Sequence, residues 1–154
     1  YIRLTREKVP TYTTPETPFE VGKAIELCAG KDIAIFGCGT VAYDCLKAVY
    51  ELEKQGISAG VYDFHTVKPI DKDTIIKSAK KTGLIMTVEE HQVAAGFGSA
   101  VCEVVSENQP CKVVRHGMYD SFGESGTSKD LLKKYKLDTA GIVEKALEAV
   151  REKS

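Results

Sequence analysis

The fold class of this chain is decided by the stretch DIAIFGCGTVAYDCLKAVYELEKQG, residues 32–56. It begins with a short, mostly apolar run at 32–37, which is typical of a strand buried on both faces. Apolar residues then recur at positions 42, 45, 46, 49 and 52, the spacing of a helix with one buried face. Gly56 is placed to end that helix. A buried strand leading directly into a helix predicts a parallel sheet covered by helices.

The same alternation of strands and helices continues along the chain. Further strands are predicted over residues 19–30, 58–64, 84–90 and 111–117. Further helices are predicted after the capping residue Asp71, over 97–108, after Thr127 or Ser128, and after Asp138. The predicted fold class is α/β, a three-layer α/β/α arrangement around a five-stranded, mostly parallel sheet.

The composition excludes several classes of partner. The 154 residues include 21 Lys and Arg against 22 Asp and Glu, with no basic run, so we expect no nucleic-acid partner. No apolar stretch approaches the roughly 20 residues that cross a bilayer, so we expect no membrane span. The five cysteines are odd in number and form no C-x-x-C pair, which indicates free thiols in a reducing, cytoplasmic compartment and no metal site.

The first 18 residues differ from the rest. YIRLTRE, residues 1–7, alternates apolar and polar residues and predicts a strand at the very start of the chain. Residues 7–18 contain three prolines and four threonines without an apolar period, which is the composition of a linker. We therefore expect the globular domain to cover residues 19–154 and the first segment to come from a preceding domain of a longer polypeptide.

A nucleotide site is one interpretation of GCGTVA, residues 37–42. The motif follows a strand, opens a helix and fits the dinucleotide fingerprint G-x-G-x-x-G/A through Gly37 and Gly39. Asp63 ends the next strand, where a ribose-binding acid would lie. The alternative is a tight turn that needs small residues, and it is favoured because the chain has room for five strands instead of six.

TVEEHQVAAGFGSAV, residues 87–101, carries the most concentrated polar cluster. Alternation along a strand sends Glu89 and Glu90 to opposite faces, so they cannot act as a carboxylate pair. A helix begins just after them, and its first N–H groups favour an anion. A carboxylate at this place could therefore be satisfied locally by backbone N–H groups.

Two interpretations of this corner remain open on the residues alone. Gly96 and Gly98 let the backbone approach another surface closely, so Glu90 and His91 could belong to a rigid packing corner. Glu90 and His91 could instead form an acid–base pair. The three histidines, His65, His91 and His116, each follow a predicted strand and could share one edge of the sheet, but they show no metal-ligand spacing.

The sequence resembles the C-terminal domain of the transketolase family over about residues 1–8 and 19–150. The resemblance is carried by YIRLTREK, GKDIAIFGCGTVAYDCLKAVYELEKQGI, VYDFHTVKPIDKDTIIKSAKKTGLIMTVEEHQVAAGFGSAV and DSFGESGTSKDLLKKYKLDTAGIVEKA. It implies a mixed sheet whose first strand is antiparallel. It also implies that residues 1–18 are the last strand of a thiamine pyrimidine-binding domain plus a linker.

The family contains transketolases, deoxyxylulose-phosphate synthases and the β subunits of 2-oxo-acid dehydrogenases, in which this domain can act as an assembly module. The F-G-E-S-G and L-L-x-x-Y-x-L-D endings resemble transketolases encoded as two subunits most. The complete enzyme is expected to use thiamine diphosphate and a divalent metal, Mg²⁺ or Ca²⁺, while this part binds neither and has no catalytic residue. Its expected partners are the other transketolase domains or subunit, in a homo-oligomer.

The resemblance also assigns individual residues. Thr5-Arg6 matches the Ser/Thr-Arg whose arginine binds the phosphate of the substrate in transketolases, a task suited to the two-pronged guanidinium. Glu90, His91, Gly96 and Gly98 are implied to form a structural and interface corner. Ala95 stands where the family has a glycine, which predicts a less permissive turn.

Overall fold

The computed structural model describes residues 1–6 and 8–153, and the α/β elements lie between residues 25 and 151. The strands are β1 (Ile25–Cys28), β2 (Ile33–Cys38), β3 (Ala59–Asp63), β4 (Leu84–Gln92) and β5 (Lys112–Met118). The helices are α1 (Ala42–Glu53), α2 (Lys72–Thr82), α3 (Phe97–Asn108), α4 (Ser128–Lys134) and α5 (Thr139–Arg151). A short 3-10 turn over Gly39–Val41 joins β2 to α1.

The five strands form one mixed sheet in the order β1-β3-β2-β4-β5. β1 pairs with β3 in the antiparallel direction, and the other three pairings are parallel. The antiparallel strand lies at an edge, so the three inner strands are left as a parallel sheet that needs cover on both faces. The predicted fold class is confirmed, including the orientation of the first strand.

Each face of the sheet carries two helices. On β2, Ile33 and Ile35 point toward α1 and α5, while Ala34 and Phe36 point toward α2 and α3, and all four side chains are fully buried. The strand period of two therefore divides the core into two apolar clusters. Burying two faces of one strand requires a continuous apolar run, which is what residues 33–36 supply.

The helix ends follow the sequence signals. Asp71, Thr127 and Asp138 each accept a hydrogen bond from a backbone N–H of the first helical turn, at Thr74, Asp130 and Gly141. Gly83 ends α2 in the left-handed conformation, with φ 61°. All three predicted caps are confirmed. No helix in the described part of the chain combines the length and the apolar character that a bilayer crossing needs.

The strand predicted over residues 19–30 is wrong in extent, because only Ile25–Cys28 is a strand. Gly22 has φ 87°, a Cβ at this position would lie 3.0 Å from Pro69 Cγ, and the Lys23 N–H donates to Glu20 O across a turn. A residue with positive φ cannot continue a strand. Residues 1–6 form no strand and are exposed. Their proposed place in the sheet of a preceding domain stays a prediction.

Asp71 joins the start of β1 to the start of α2. Its buried carboxylate accepts hydrogen bonds from the Ala24 N–H at 2.9 Å, the Thr74 N–H at 3.1 Å and the Thr74 hydroxyl at 2.8 Å. Burial alone would raise the pKa of Asp71, but these hydrogen bonds and the charge of Lys23 together hold it below its ordinary value. The ionised carboxylate therefore stabilises the fold.

We predict that Asp71→Ala lowers the free energy of unfolding by about 2–4 kcal/mol at pH 7, because a helix cap and a partner for the Ala24 N–H are both lost. A carboxyl group with a lowered folded pKa stabilises above its unfolded pKa of about 3.9 and loses that effect as the pH falls through the folded value. Wild type and variant should therefore converge in acid, as measured by urea unfolding across pH.

Asp73→Ala is the matched control, since Asp73 lies two residues further along and its side chain is 70% exposed. Its effect should stay below about 0.5 kcal/mol. Equal losses for the two variants would show that Asp71 has no special role.

Candidate functional site

The carboxyl ends of β2 and β4 are neighbours, and the chain leaves them in opposite directions across the sheet. β2 continues into α1 on one face, and β4 continues into α3 on the other. In open α/β sheets this switch point is where ligands bind. The candidate site is therefore the edge formed by residues 37–40 and 89–98.

Glu89 fills the helix end on one side of this edge. Its side chain is 2% exposed, and its two carboxylate oxygens accept the Phe97 N–H at 2.7 Å and the Gly98 N–H at 2.8 Å. These are first-turn N–H groups of α3, which have no partner within the helix. A carboxylate at this place is also favoured by the helix dipole. The Glu89 carboxylate therefore occupies the place at the start of α3 where an external anion could otherwise bind.

The two predicted corner glycines make room for this carboxylate. A Cβ at Gly96 would collide with Glu89 Oε2, and a Cβ at Gly98 would collide with the Thr87 hydroxyl and lie 3.1 Å from Glu89 Oε1. Ala95 has φ 56°, a left-handed conformation that costs a non-glycine residue roughly 1 kcal/mol. Ala95 therefore takes a conformation that favours glycine, at the position where the resemblance implied one.

Glu90 points to the opposite face of β4. Its carboxylate is exposed and accepts a hydrogen bond from the Thr40 hydroxyl at 2.5 Å, at the start of the turn into α1. The predicted separation of Glu89 and Glu90 to opposite faces is confirmed, because β4 continues to Gln92. His91 is exposed, with Nδ1 2.9 Å from Gln92 O. No contact between Glu90 and His91 supports an acid–base pair.

The nucleotide candidates have packing explanations. A Cβ at Gly37 would lie 2.7 Å from Ala42 Cα and 3.2 Å from Cys45 Sγ, so glycine lets β2 and α1 pack closely. Gly39 has φ 79°, which favours glycine for conformational reasons. Asp63 is buried, and its carboxylate already accepts a hydrogen bond from the Tyr12 hydroxyl at 3.0 Å. Nucleotide binding at these residues stays a prediction without added support.

The three histidines contact different neighbours. His65 stacks on Phe19 with ring centroids 4.4 Å apart. His116 is 3% exposed, and its Nε2 lies 2.7 Å from Lys136 O, which ties β5 to the turn before α5. Burial lowers the pKa of His116 below its ordinary value, more than the hydrogen bond to Lys136 raises it. His116 is therefore a structural residue that favours the neutral imidazole.

A thiamine diphosphate–metal site needs oxygen or nitrogen ligands gathered around one cation. Within residues 1–6 and 8–153, no three His, Cys, Asp or Glu side chains are grouped closely enough for that. A cavity of about 420 Å³ beside His116 contains three lysines, each paired with a glutamate at 2.7–2.9 Å: Lys134, Lys136 and Lys145. The described residues therefore offer no ligand set for the metal of such a site.

Glu89 is the buried acidic residue of the corner, and it was not among the site residues predicted there, which included Glu90 and His91. The signal was present, because Glu89 shares strand parity with Ile85, which faces α3, and Gly96 and Gly98 follow at the helix start. Arg6 is exposed, in the segment before the linker. The phosphate-binding role of Arg6 stays a prediction.

Comparisons with known proteins agree on one family. The family described as "Transketolase, C-terminal domain" matches residues 22–142. The chain is 39% identical over 154 residues to the 6-deoxy-6-sulfo-D-fructose transketolase subunit SqwH of Clostridium sp. (strain MSTE9), covering 100% of this chain and 48% of that protein. It is 38% identical over 135 residues to the 1-deoxy-D-xylulose-5-phosphate synthase of Halothermothrix orenii, covering 86% of this chain and 21% of that protein.

A solved structure described as a split gene transketolase, inactive β4 tetramer, has the same fold. It superposes with a TM-score of 0.90 at 42% sequence identity, covering 95% of this chain and 48% of that chain. The chain thus spans about half the length of the split-transketolase relatives it matches.

We predict that Glu89→Ala lowers the free energy of unfolding by about 2–4 kcal/mol, because it leaves two buried N–H groups of α3 without an acceptor. Glu89→Gln keeps one acceptor oxygen and should cost less. Glu90→Ala is the matched control, since its carboxylate is exposed, and its effect should stay below about 1 kcal/mol. Urea unfolding of the three variants measures the difference, and a ranking with Glu90 above Glu89 would contradict the assignment.

Proposed function

Because the chain belongs to the transketolase C-terminal domain family, we propose that it forms the C-terminal part of a split, thiamine-diphosphate-dependent transketolase. The complete enzyme transfers a two-carbon ketol unit between sugar phosphates. Thiamine diphosphate supplies the electron sink for that transfer, and other parts of the enzyme hold it together with Mg²⁺ or Ca²⁺. This chain packs against those parts in a cytoplasmic homo-oligomer and contributes no catalytic side chain.

The observation that carries this proposal is the match along the whole chain to a transketolase subunit. The alignment covers 100% of these residues and 48% of that relative, so it includes the first 18 residues as well as the α/β domain. The solved split transketolase is also covered to 48%. Both shares favour a subunit of about twice this length over a single-chain enzyme.

A second candidate is the C-terminal domain of a 1-deoxy-D-xylulose-5-phosphate synthase. The relative from Halothermothrix orenii is 38% identical, but the match covers 86% of this chain. Both enzymes would need the same domain architecture and cofactor, so the fold does not separate them. Product analysis with a sugar-phosphate donor separates them, because only a transketolase would transfer a ketol unit from that donor.

The corner around Glu89 suits a surface that other subunits contact. Glu89 holds the start of α3 rigidly, while Glu90 and His91 are exposed directly beside it. Rigid, exposed polar groups lose little conformational entropy on association. We assign Glu90, His91, Gly96 and Gly98 to a subunit interface, and the tetrameric split transketolase supports assembly of this kind of chain.

We predict that the complete protein transfers ketol units between sugar phosphates and that Arg6→Ala raises its KM for phosphorylated substrates. Loss of a charge-assisted contact to phosphate amounts to about 1.5–3 kcal/mol, or on the order of 10- to 150-fold in KM. Steady-state kinetics give KM for phosphorylated and for unphosphorylated substrates. The KM for unphosphorylated substrates should change little.

Lys8→Ala is the control for Arg6, because Lys8 is an exposed cation in the same part of the chain. The 154-residue chain assayed alone with thiamine diphosphate, metal and sugar phosphates should show no turnover. Turnover by the chain alone would contradict the proposal that it contributes no catalytic side chain. Unchanged kinetics of Arg6→Ala would contradict the proposed phosphate-binding role of Arg6.

We predict that His91→Ala in the complete protein weakens assembly while kcat per assembled enzyme stays nearly unchanged. An interface residue affects association, whereas loss of a general acid or base lowers kcat by about 10²-fold or more. Sedimentation and turnover measured on the same preparation separate the two results. A large loss of kcat in a fully assembled variant would identify His91 as catalytic instead.

A further inference from the structure

The loop between β5 and α4, residues 119–127, presents a phenylalanine to solvent. Phe122 is 99% exposed, and Tyr119 at the start of the loop is also exposed. A phenyl ring in this position is released from water only when another surface covers it, and its burial then favours association.

The backbone on both sides of Phe122 is held in place. The Gln92 side chain donates from Nε2 to Ser121 O at 2.6 Å, which joins the loop to the end of β4. The Tyr135 hydroxyl donates to Glu124 Oε1 at 2.7 Å and lies 3.4 Å from Phe122 O. An exposed side chain on a fixed backbone loses little conformational entropy when a partner covers it.

The cavity beside His116 adjoins this loop. It is lined by Tyr119, by Ser121, which precedes Phe122 in the chain, and by Tyr135. The Phe122 ring does not fill the cavity, because the ring itself is almost fully exposed. The cavity volume is about 420 Å³, whereas a cavity of about 150 Å³ is enough to hold benzene. One surface therefore carries a protruding phenyl ring and a recess with room for another.

The charges around the cavity favour an uncharged occupant. Hydrogen bonds from Lys134 and Tyr135 lower the pKa of Glu124, so this carboxylate stays ionised at neutral pH. A phosphate group would have to displace a glutamate from each lysine that it approached. An apolar group can enter between the ion pairs, which then form the polar rim of an interface. The three pairs are Lys134 with Glu124, Lys136 with Glu144 and Lys145 with Glu148.

We propose that the Phe122 loop and this cavity are the two halves of one interface, in which Phe122 of one copy enters the cavity of a second copy. Ring and recess lie on the same patch, so a two-fold axis makes the contact twice. The patch is continuous with the corner assigned above to a subunit interface. Gly117 lines the cavity, and a Cβ at Gly117 would lie 2.7 Å from His91 O.

This inference rests on the proposed function only for assembly into a homo-oligomer, and it names the surface through which copies associate. The split transketolase of known structure is described as a β4 tetramer, which favours a second copy as the occupant. The contact itself requires neither thiamine diphosphate nor substrate. Assembly and ketol transfer can therefore be tested independently.

The first experiment is sedimentation velocity of the complete protein, comparing wild type with Phe122→Ser. The substitution should raise the dissociation constant of the homo-oligomer by about 30-fold or more, the scale for truncating a central aromatic side chain. The circular dichroism spectrum should stay unchanged, because the exposed ring does not support the fold. Tyr50→Ser is the matched control, since Tyr50 is 62% exposed on α1. Wild-type assembly of Phe122→Ser, or a monomeric wild type, would overturn the proposal.

The second experiment closes the cavity and leaves Phe122 intact. Glu148 lines the cavity and its side chain is 53% exposed, so Glu148→Trp places an indole across the opening without disturbing the core. It should weaken assembly as Phe122→Ser does, and the double variant should be little weaker than either single variant. Fully additive effects would show that the ring and the cavity do not meet.

The third experiment identifies the occupant directly. Phe122 is replaced by the photoreactive p-benzoylphenylalanine in the complete protein, which is then irradiated. A product of twice the chain mass is expected, with the new bond in a peptide that contains Tyr135 or Lys145. A bond within one chain, to a different subunit or to another part of a second copy would overturn the proposal, as would the absence of any cross-link.

These measurements keep two failures apart. If the complete protein transfers no ketol unit but Phe122→Ser weakens assembly and the expected cross-link forms, the proposed activity fails and the interface is supported. If ketol transfer is found and His91→Ala weakens assembly, while Phe122→Ser assembles as wild type does, only the Phe122 interface fails.

Discussion

The hydrogen bonds of the buried Glu89 carboxylate are the interaction on which the sheet edge formed by residues 37–40 and 89–98 depends. A carboxylate with 2% exposure is tolerated only when hydrogen bonds replace its water, and the first N–H groups of α3 do so at 2.7 and 2.8 Å. Gly96 and Gly98 follow from this, because a Cβ at either position would collide with its surroundings. The turn into α3, including the left-handed Ala95, is shaped by the need to bring that helix end onto the carboxylate.

Acidic side chains occupy the positions where an α/β sheet would ordinarily receive an anionic ligand. Glu89 lies on the start of α3, Glu90 binds Thr40 at the start of the turn into α1, and Asp63 lies under Tyr12. A phosphate brought to this edge would meet negative charge where a dinucleotide site offers free N–H groups. The strand order therefore creates the kind of edge at which α/β sheets bind ligands, but carboxylates of the chain itself occupy the places where a phosphate would bind.

Local signals were enough to predict most of the fold, and long-range contacts account for the rest. The apolar run of β2 and the caps at Asp71 and Asp138 depend on neighbours in sequence, so they were predicted correctly. The strand predicted over 19–30 failed because Gly22 takes a positive φ beside Pro69, far along the chain. In the site, strand alternation separated Glu89 from Glu90, but it could not show which of the two would be buried.

The contact between Tyr12 and Asp63 shows how the segment before the α/β core is joined to the sheet. The Asp63 carboxylate lies at the end of β3, the Tyr43 ring lies on α1, and Tyr12 contacts both. Most of the other side chains of residues 8–20 are exposed. An aromatic side chain whose ring packs and whose hydroxyl donates a hydrogen bond therefore fixes one point of a segment that is otherwise largely exposed to solvent.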